Sequence, residues 1–264
     1  MADETQTRKP AVAGLFYPAA PAELRETIGR FLGARAAGDR VPKALIVPHA
    51  GYVYSGSIAA SAYALIAPAR ATLRKVVLLG PSHRVQFSGL AVPGARLYET
   101  PLGPVPIDAE AIAAALALPQ VCELDAAHAR EHSLEVQVPF LQSVLDDFTL
   151  APFAVGDAGA PEVAGVIEKL WGGDETLIVI STDLSHYLDY TVACRRDERT
   201  ARAIEGLRYE DIGYEDACGR DPLNGLLYLA RERGLRATRL DLRNSGDTAG
   251  TPERVVGYGA FAIV

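Results

Sequence analysis

The 264-residue chain reads as a single α/β domain with a central, largely parallel mixed sheet flanked by helices. Three observations predict this. Short runs of β-branched residues and leucine alternate with helical patterns, the order that yields parallel strands joined by helices. The runs are apolar on both alternating faces, as in strands covered from two sides. No Ser/Gly-rich linker or internal repeat divides the chain, and a 49% content of AVILMFWYC residues suffices for one substantial core. One domain over residues 1–264 follows.

In order, Leu24, Ile28, Phe31 and Leu32 recur at i, i+4, i+7 and i+8 and form one helical stripe. Residues 34–37 share a helical, alanine-rich composition. ALIV at Ala44–Val47, closed by Pro48, is the first strand. Residues 57–67, rich in small side chains, form a helix ended near Pro68. VVLL at 76–79, closed by Gly80-Pro81, is the second strand, and 89–92 is a further candidate. Alanines mark a helix over 109–117. Leu134, Val138, Leu141 and Leu145 place a stripe on a helix over 131–147, offset or kinked at Pro139. Thr149–Val155 reads as a strand. Residues 161–171 form a helix with proline first and Gly172-Gly173 beyond its end. LIVI at 177–180, closed by Ser181-Thr182, is the third well-marked strand. Asp221-Pro222 has the N-cap and N1-proline order of a helix running to about Arg233. Strand patterns at 236–242 and 255–264 complete the chain.

Composition narrows the function. Twenty-six basic against 33 acidic side chains give a net charge of −7 with no long basic run, which argues against a nucleic-acid partner. No stretch nears the roughly 18 apolar residues of a membrane span. Residues 1–10 (MADETQTRKP) lack the apolar run of a secretory signal. Cys122, Cys194 and Cys218 are too few for a disulfide framework, so a cytoplasmic setting and free thiols are expected.

Only five histidines occur, and three follow the marked strands: His49 (ALIVPH), His83 (VVLLGPSH) and His186 (LIVISTDLSH). Ligands of open α/β sheets bind outside the carboxyl ends of strands. If these strands are neighbours, three imidazoles and Asp183 meet at one edge; singly, each is as readily a surface-loop histidine. Cys218 precedes an expected helix N-terminus and adjoins Arg220, both of which favour thiolate. A thiolate with two neutral imidazoles is a metal set that leaves positions open for substrate. The alternative, a buried structural cysteine, is the reading for Cys122 and Cys194. On a helix, His132 and Glu135 share a face, or else Glu131 and Glu135 are exposed acids at a helix start. His128 is read as a surface residue. No HExxH, GxGxxG, Walker or GxSxG pattern is present.

The blocks VPHAGYVYSGSIAASAY (47–63), LLGPSHRV (78–85), EHSLEVQVPF (131–140), STDLSHYLDY (181–190), CGRDPLNGLL (218–227) and GYGAFAIV (257–264) resemble the Memo family. Prokaryotic members of that family are called AmmeMemoRadiSam system protein B. RKPAVAGLFYP (8–18) extends the resemblance over nearly the whole chain. The resemblance implies a fold like that of class III extradiol dioxygenases, non-haem Fe(II) enzymes that cleave catechol-type rings. It also implies His49, His83 and Cys218 as metal ligands, His186 as an acid/base and His132 as a substrate-facing group, with Asp183 at the same edge. The ring-cleaving enzymes use a carboxylate where this chain has Cys218. A thiolate is softer and shifts preference toward Cu or Zn, or toward thiolate-bound iron.

Two functions follow as expectations. The first is an Fe(II)-dependent oxidoreductase acting on an organic small-molecule substrate, with Cu or Zn as alternative metals. The second is a non-catalytic metal- or partner-binding protein; the family name implies radical SAM and AMMECR-type partners. Zinc-dependent hydrolysis using Glu131 or Glu135 is a third and weaker idea.

Overall fold

Side chains along the apolar runs sort by parity into two separate cores. The computed structural model describes residues 7–34 and 40–264. Its strands are β1 (Thr7–Arg8), β2 (Ala44–Val47), β3 (Lys75–Pro81), β4 (Leu90–Val92), β5 (Leu97–Thr100), β6 (Gly103–Pro106), β7 (Val121–Glu123), β8 (Thr149–Val155), β9 (Thr176–Ser181), β10 (His186–Leu188), β11 (Ala237–Asn244) and β12 (Val255–Ile263). Its α-helices are α1 (Pro21–Gly33), α2 (Tyr52–Tyr63), α3 (Ala109–Leu116), α4 (Asp125–Ala129), α5 (Val138–Val144), α6 (Ala160–Lys169), α7 (Tyr190–Glu205) and α8 (Arg220–Glu232). Leu45 and Val47 of β2, Val76 and Leu78 of β3, and Leu177 and Val179 of β9 face one core. Their neighbours Ala44, Ile46, Val77, Leu79, Ile178 and Ile180 face the other. Alternate side chains of a strand point to opposite faces, so each face of the sheet carries its own helical layer.

The main sheet has the order β10-β12-β2-β9-β3-β8-β4-β7, with β11 also paired to β12. β2, β9, β3 and β8 form a parallel block. β12 pairs antiparallel with β2, and β4 with β8. The parallel character is therefore central, and the flanks make the sheet mixed. β1, β5 and β6 form a small second sheet. Helix α2 lies close against α1 because Gly56 has no side chain; a Cβ there would stand 2.5 Å from the Phe31 ring. Among the described residues, no helix is long and apolar enough to cross a membrane.

Several local expectations are corrected. The helix expected over 131–147 is a loop at Glu131–Leu134, a 3-10 turn at Glu135–Gln137 and then α5. Its first turn is lost because both glutamates, fully buried rather than exposed, take partners from elsewhere. Glu135 accepts hydrogen bonds from the backbone N–H groups of Ala11 (2.7 Å) and Val12 (3.0 Å) and from the Tyr17 hydroxyl (2.6 Å). It also forms a buried ion pair with Arg8. Helix α8 starts at Arg220 with Gly219 as its N-cap, which places Asp221 inside the first turn, where it accepts from the Arg220 guanidinium at 2.8 Å. Helix α2 begins at Tyr52, and a 3-10 segment, Ala64–Ala69, follows it. Cys122 and Cys194 are exposed, not buried. The alanine-rich stretch at 34–37 lies, beyond Ala34, outside the described residues.

His128 is also corrected: it is buried in α4, and its Nε2–H donates to the Ala91 carbonyl at 2.9 Å. Burial lowers its pKa to about 4. The unfolded chain takes up this proton near pH 6.5, whereas the folded protein resists until about 4. Protons therefore favour unfolding throughout that window. In urea titrations of metal-free protein, wild type should lose on the order of 2–3 kcal/mol more than His128→Gln between pH 6.5 and 4. Parallel pH profiles of the two proteins would refute this.

Candidate metal centre

β2, β9 and β3 are adjacent and parallel, so their carboxyl ends open onto one edge. His49 leaves β2, Asp183 and His186 follow β9, and His83 leaves β3. These residues meet with His132 and Cys218 in a cavity of about 510 Å3. His49, His83 and His132 each offer a ligand atom, and the three atoms lie within 4.8 Å of one another. The His83 and His132 rings stack with centroids 4.7 Å apart, and the His49 ring stands edge-on to both. Cys218 Sγ lies 3.3 Å from His49 Nε2, beside the three-histidine group rather than within it.

Outer partners aim the imidazoles. Ser181 Oγ donates to the Ser133 carbonyl at 2.6 Å and accepts from Gln137 Nε2 at 2.8 Å. Its remaining contact, 3.0 Å from His49 Nδ1, is one in which the ring N–H donates. Nδ1 of His49 therefore carries the proton, and the Nε2 lone pair faces the cavity. Glu131 does the same for His83: Oε1 accepts from Nδ1 at 2.9 Å, and Oε2 accepts from the His83 backbone N–H at 2.6 Å. Oε1 also accepts from the backbone N–H groups of His132 and Ser133, both at 2.9 Å. A hydrogen bond from one ring nitrogen sets the tautomer and leaves the other free for a metal. Sequence reading missed Ser181, Gln137 and the role of Glu131. The carboxylate beside His132 was the available signal, obscured by treating it as a helix start.

The electrostatics favour neutral imidazoles at His49 and His132. Burial, followed by the charges of His83, His132 and His186, holds His49 well below the usual imidazole range. Burial likewise brings His132 to about 4. Glu131 is pushed up by burial, but its hydrogen bonds from His83 and the charge of that ring outweigh this and bring it to about 2. Asp183, also buried, rises to about 6 despite accepting the His49 backbone N–H at 2.7 Å. The expectation of a thiolate promoted by Arg220 fails. Burial and the Asp183 charge raise the Cys218 thiol, while the Arg220 guanidinium lies over the Tyr214 ring and pairs with Asp221. A metal cation would reverse that preference, because a coordinating thiol is deprotonated outright.

Two features fit a metal. The donor set of three imidazoles and a thiol suits a borderline or soft cation. In addition, His132 Nδ1 is buried without a formal hydrogen bond, 3.3 Å from Glu131 Oε1, so the Glu131 carboxylate also lies against this third imidazole. Cys218 reaches the cavity because Gly219 lies against the end of β9. A Cβ there would come 2.7 Å from the Ser181 carbonyl oxygen and 2.8 Å from Thr182 Cβ, and the Gly219 N–H donates to Thr182 Oγ1 at 2.9 Å. Gly219→Ala should shift Cys218 away from His49 and weaken Zn(II) binding by about tenfold or more. Unchanged affinity in a competition titration would refute that.

His186 lines the cavity, and its Nδ1–H donates to the Leu184 carbonyl at 2.8 Å, leaving Nε2 available for a proton. Phe16 also lines the cavity, with its ring 4.7 Å from that of His132.

Known proteins resemble this chain in sequence and fold. A family model described as Memo-like protein matches residues 8–262. A MEMO1 family protein of Aquifex aeolicus is 36% identical over 96% of this chain and 97% of its own length. Another, from Thermotoga maritima, is 38% identical over 95% of this chain and 97% of its own length. The crystal structure of the uncharacterized protein JW3007 from Escherichia coli K12 superposes with a TM-score of 0.53 at 16% identity, covering 83% of this chain and 99% of that one. That likeness concerns the fold alone. With the family pattern running through both the sheet and the histidine-bearing loops, the chain belongs to the Memo family.

Proposed function

We propose that this protein is a metal-dependent oxidoreductase that binds Fe(II) through His49, His83 and Cys218, with His132 beside the ion. The observation that carries the reading is the aim of the imidazoles. Ser181 and Glu131 hold the outer nitrogens of His49 and His83, and the Cys218 sulfur lies 3.3 Å from His49 Nε2. A metal bound there supplies Lewis-acid and one-electron chemistry. His186 holds or delivers a proton through Nε2, and Asp183 buttresses the His49 loop through the backbone N–H. Phe16 and Tyr187 border the cavity.

Protein purified anaerobically should hold about one iron per chain. His49→Ala should abolish this, and Cys218→Ser should remove the sulfur-to-metal band from the optical spectrum. Lack of iron in wild type, or of oxygen uptake with catechol-like substrates, would overturn the catalytic reading. A second reading draws support from Cys218 standing where ring-cleaving enzymes use a carboxylate. In it, the chain is a metal- and partner-binding protein serving a radical SAM enzyme and an AMMECR-type protein without turnover. Co-purification with such partners, undiminished in His186→Ala, would favour it.

A further inference from the structure

The histidine cavity does not end at the metal ligands. A second cavity of about 580 Å3 adjoins it, and the two share Phe16, His132, Asp183, His186 and Tyr187 as walls. This annex runs from the histidines toward the segment before β12, where Arg254 forms part of the wall. Among the described residues, Arg254 is the sole Lys or Arg lining either cavity, and no carboxylate pairs with it. Its guanidinium instead lies over the Tyr187 ring, 5.1 Å from the centroid.

Tyr187 is unusual in its own right. It holds φ at +59° although it is not glycine, a conformation costing of order 1–3 kcal/mol. The residue is 63% exposed and lines both cavities, so burial does not account for the strain. The register of β10 against β12 shifts between His186 and Leu188, which turns Tyr187 out of the ladder. The result is a flat aromatic surface beside the histidines with one cation stacked on it.

We infer that the annex holds the tail of an elongated organic monocarboxylate. The carboxylate meets Arg254, a flat apolar body lies between Tyr187 and Phe16, and the opposite end reaches the histidines. A single guanidinium matches a single negative charge and has the fork geometry of a carboxylate. A phosphate dianion would call for further cations, and the cavity walls supply none. In a chain with net charge −7, an anion needs such a local attraction.

The identity of the reacting end rests on the metal-centre reading, but binding in the annex is testable without it. Metal-free and Zn(II)-treated protein would be titrated calorimetrically with 3-phenylpropionate, its neutral amide and phenyl phosphate. The carboxylate should bind about tenfold tighter than the amide at low salt. Arg254→Gln should erase that ratio while leaving amide binding unchanged, and Tyr187→Ala should weaken acid and amide alike. Equal affinities for acid and amide, an unaltered ratio in Arg254→Gln, tighter binding of phenyl phosphate, or no binding of any probe would overturn the inference. Failure to take up zinc with the ratio intact would count against the metal centre and not against the annex.

Discussion

Glu131→Gln is expected to weaken Zn(II) binding by about 10–100-fold, the usual cost of losing a partner that orients a metal-ligating histidine. Glu131 touches no candidate metal position itself. It is fully buried, and its two oxygens accept four N–H donors: the His83 ring, and the backbones of His83, His132 and Ser133. Glutamine keeps the shape but has only one oxygen. Its amide N–H groups would face donors, either the His83 backbone N–H or, in the other orientation, the His83 ring together with the His132 and Ser133 backbone N–H groups. In the second orientation the His83 tautomer is no longer dictated, and in either one the loop that carries His132 loosens. Unfolding free energy should also drop by about 1–3 kcal/mol through the unpaired buried donor. Competition with a chromophoric chelator reads the affinity, and wild-type affinity in the variant would refute this role for Glu131.

Glu135→Gln should be the most destabilising single change described, costing about 3–5 kcal/mol, because it leaves the Arg8 guanidinium buried without its countercharge. Arg8 is nearly inaccessible at 4% side-chain exposure, and Glu135 is at 0%. Arg8 also donates to the carbonyls of His128 (3.1 Å) and Glu131 (2.6 Å), so the pair ties the 7–17 segment to the loop bearing His132. Removing both charges together, as Arg8→Met with Glu135→Leu, should not recover the loss, since the Ala11 and Val12 N–H groups and the Tyr17 hydroxyl would be left buried without their acceptor. Urea unfolding midpoints decide the matter: a loss below about 1 kcal/mol for Glu135→Gln would show the pair to be energetically idle.

These two glutamates also mark where the sequence stops being legible. The strands of the parallel block announce themselves because both of their faces are apolar, and that requires only local composition. Ala44–Val47 and Thr149–Val155 have the same limits in sequence and structure. Histidines after β2, β3 and β9 were visible for the same reason: the end of a strand is readable, and whatever follows it lies at the sheet edge. Glu131 and Glu135 failed because helical spacing describes what a segment does alone, whereas their partners come from His83 and from Arg8. Burial of His128 and exposure of Cys122 are likewise decided by packing at the far side of the sheet, around β4 and β7. Tyr187 gave no warning, since a tyrosine carries no signal for a left-handed backbone.

The distance along the chain between Arg8 and Glu135 has a consequence for synthesis. The two are 127 residues apart, and ribosomes add about 5–20 residues per second, so Arg8 waits roughly 6–25 s before its counterion exists. During that interval Arg8 has no buried countercharge to dock against. The segment bearing Arg8 therefore cannot close over the histidine loop until Glu135 has been made.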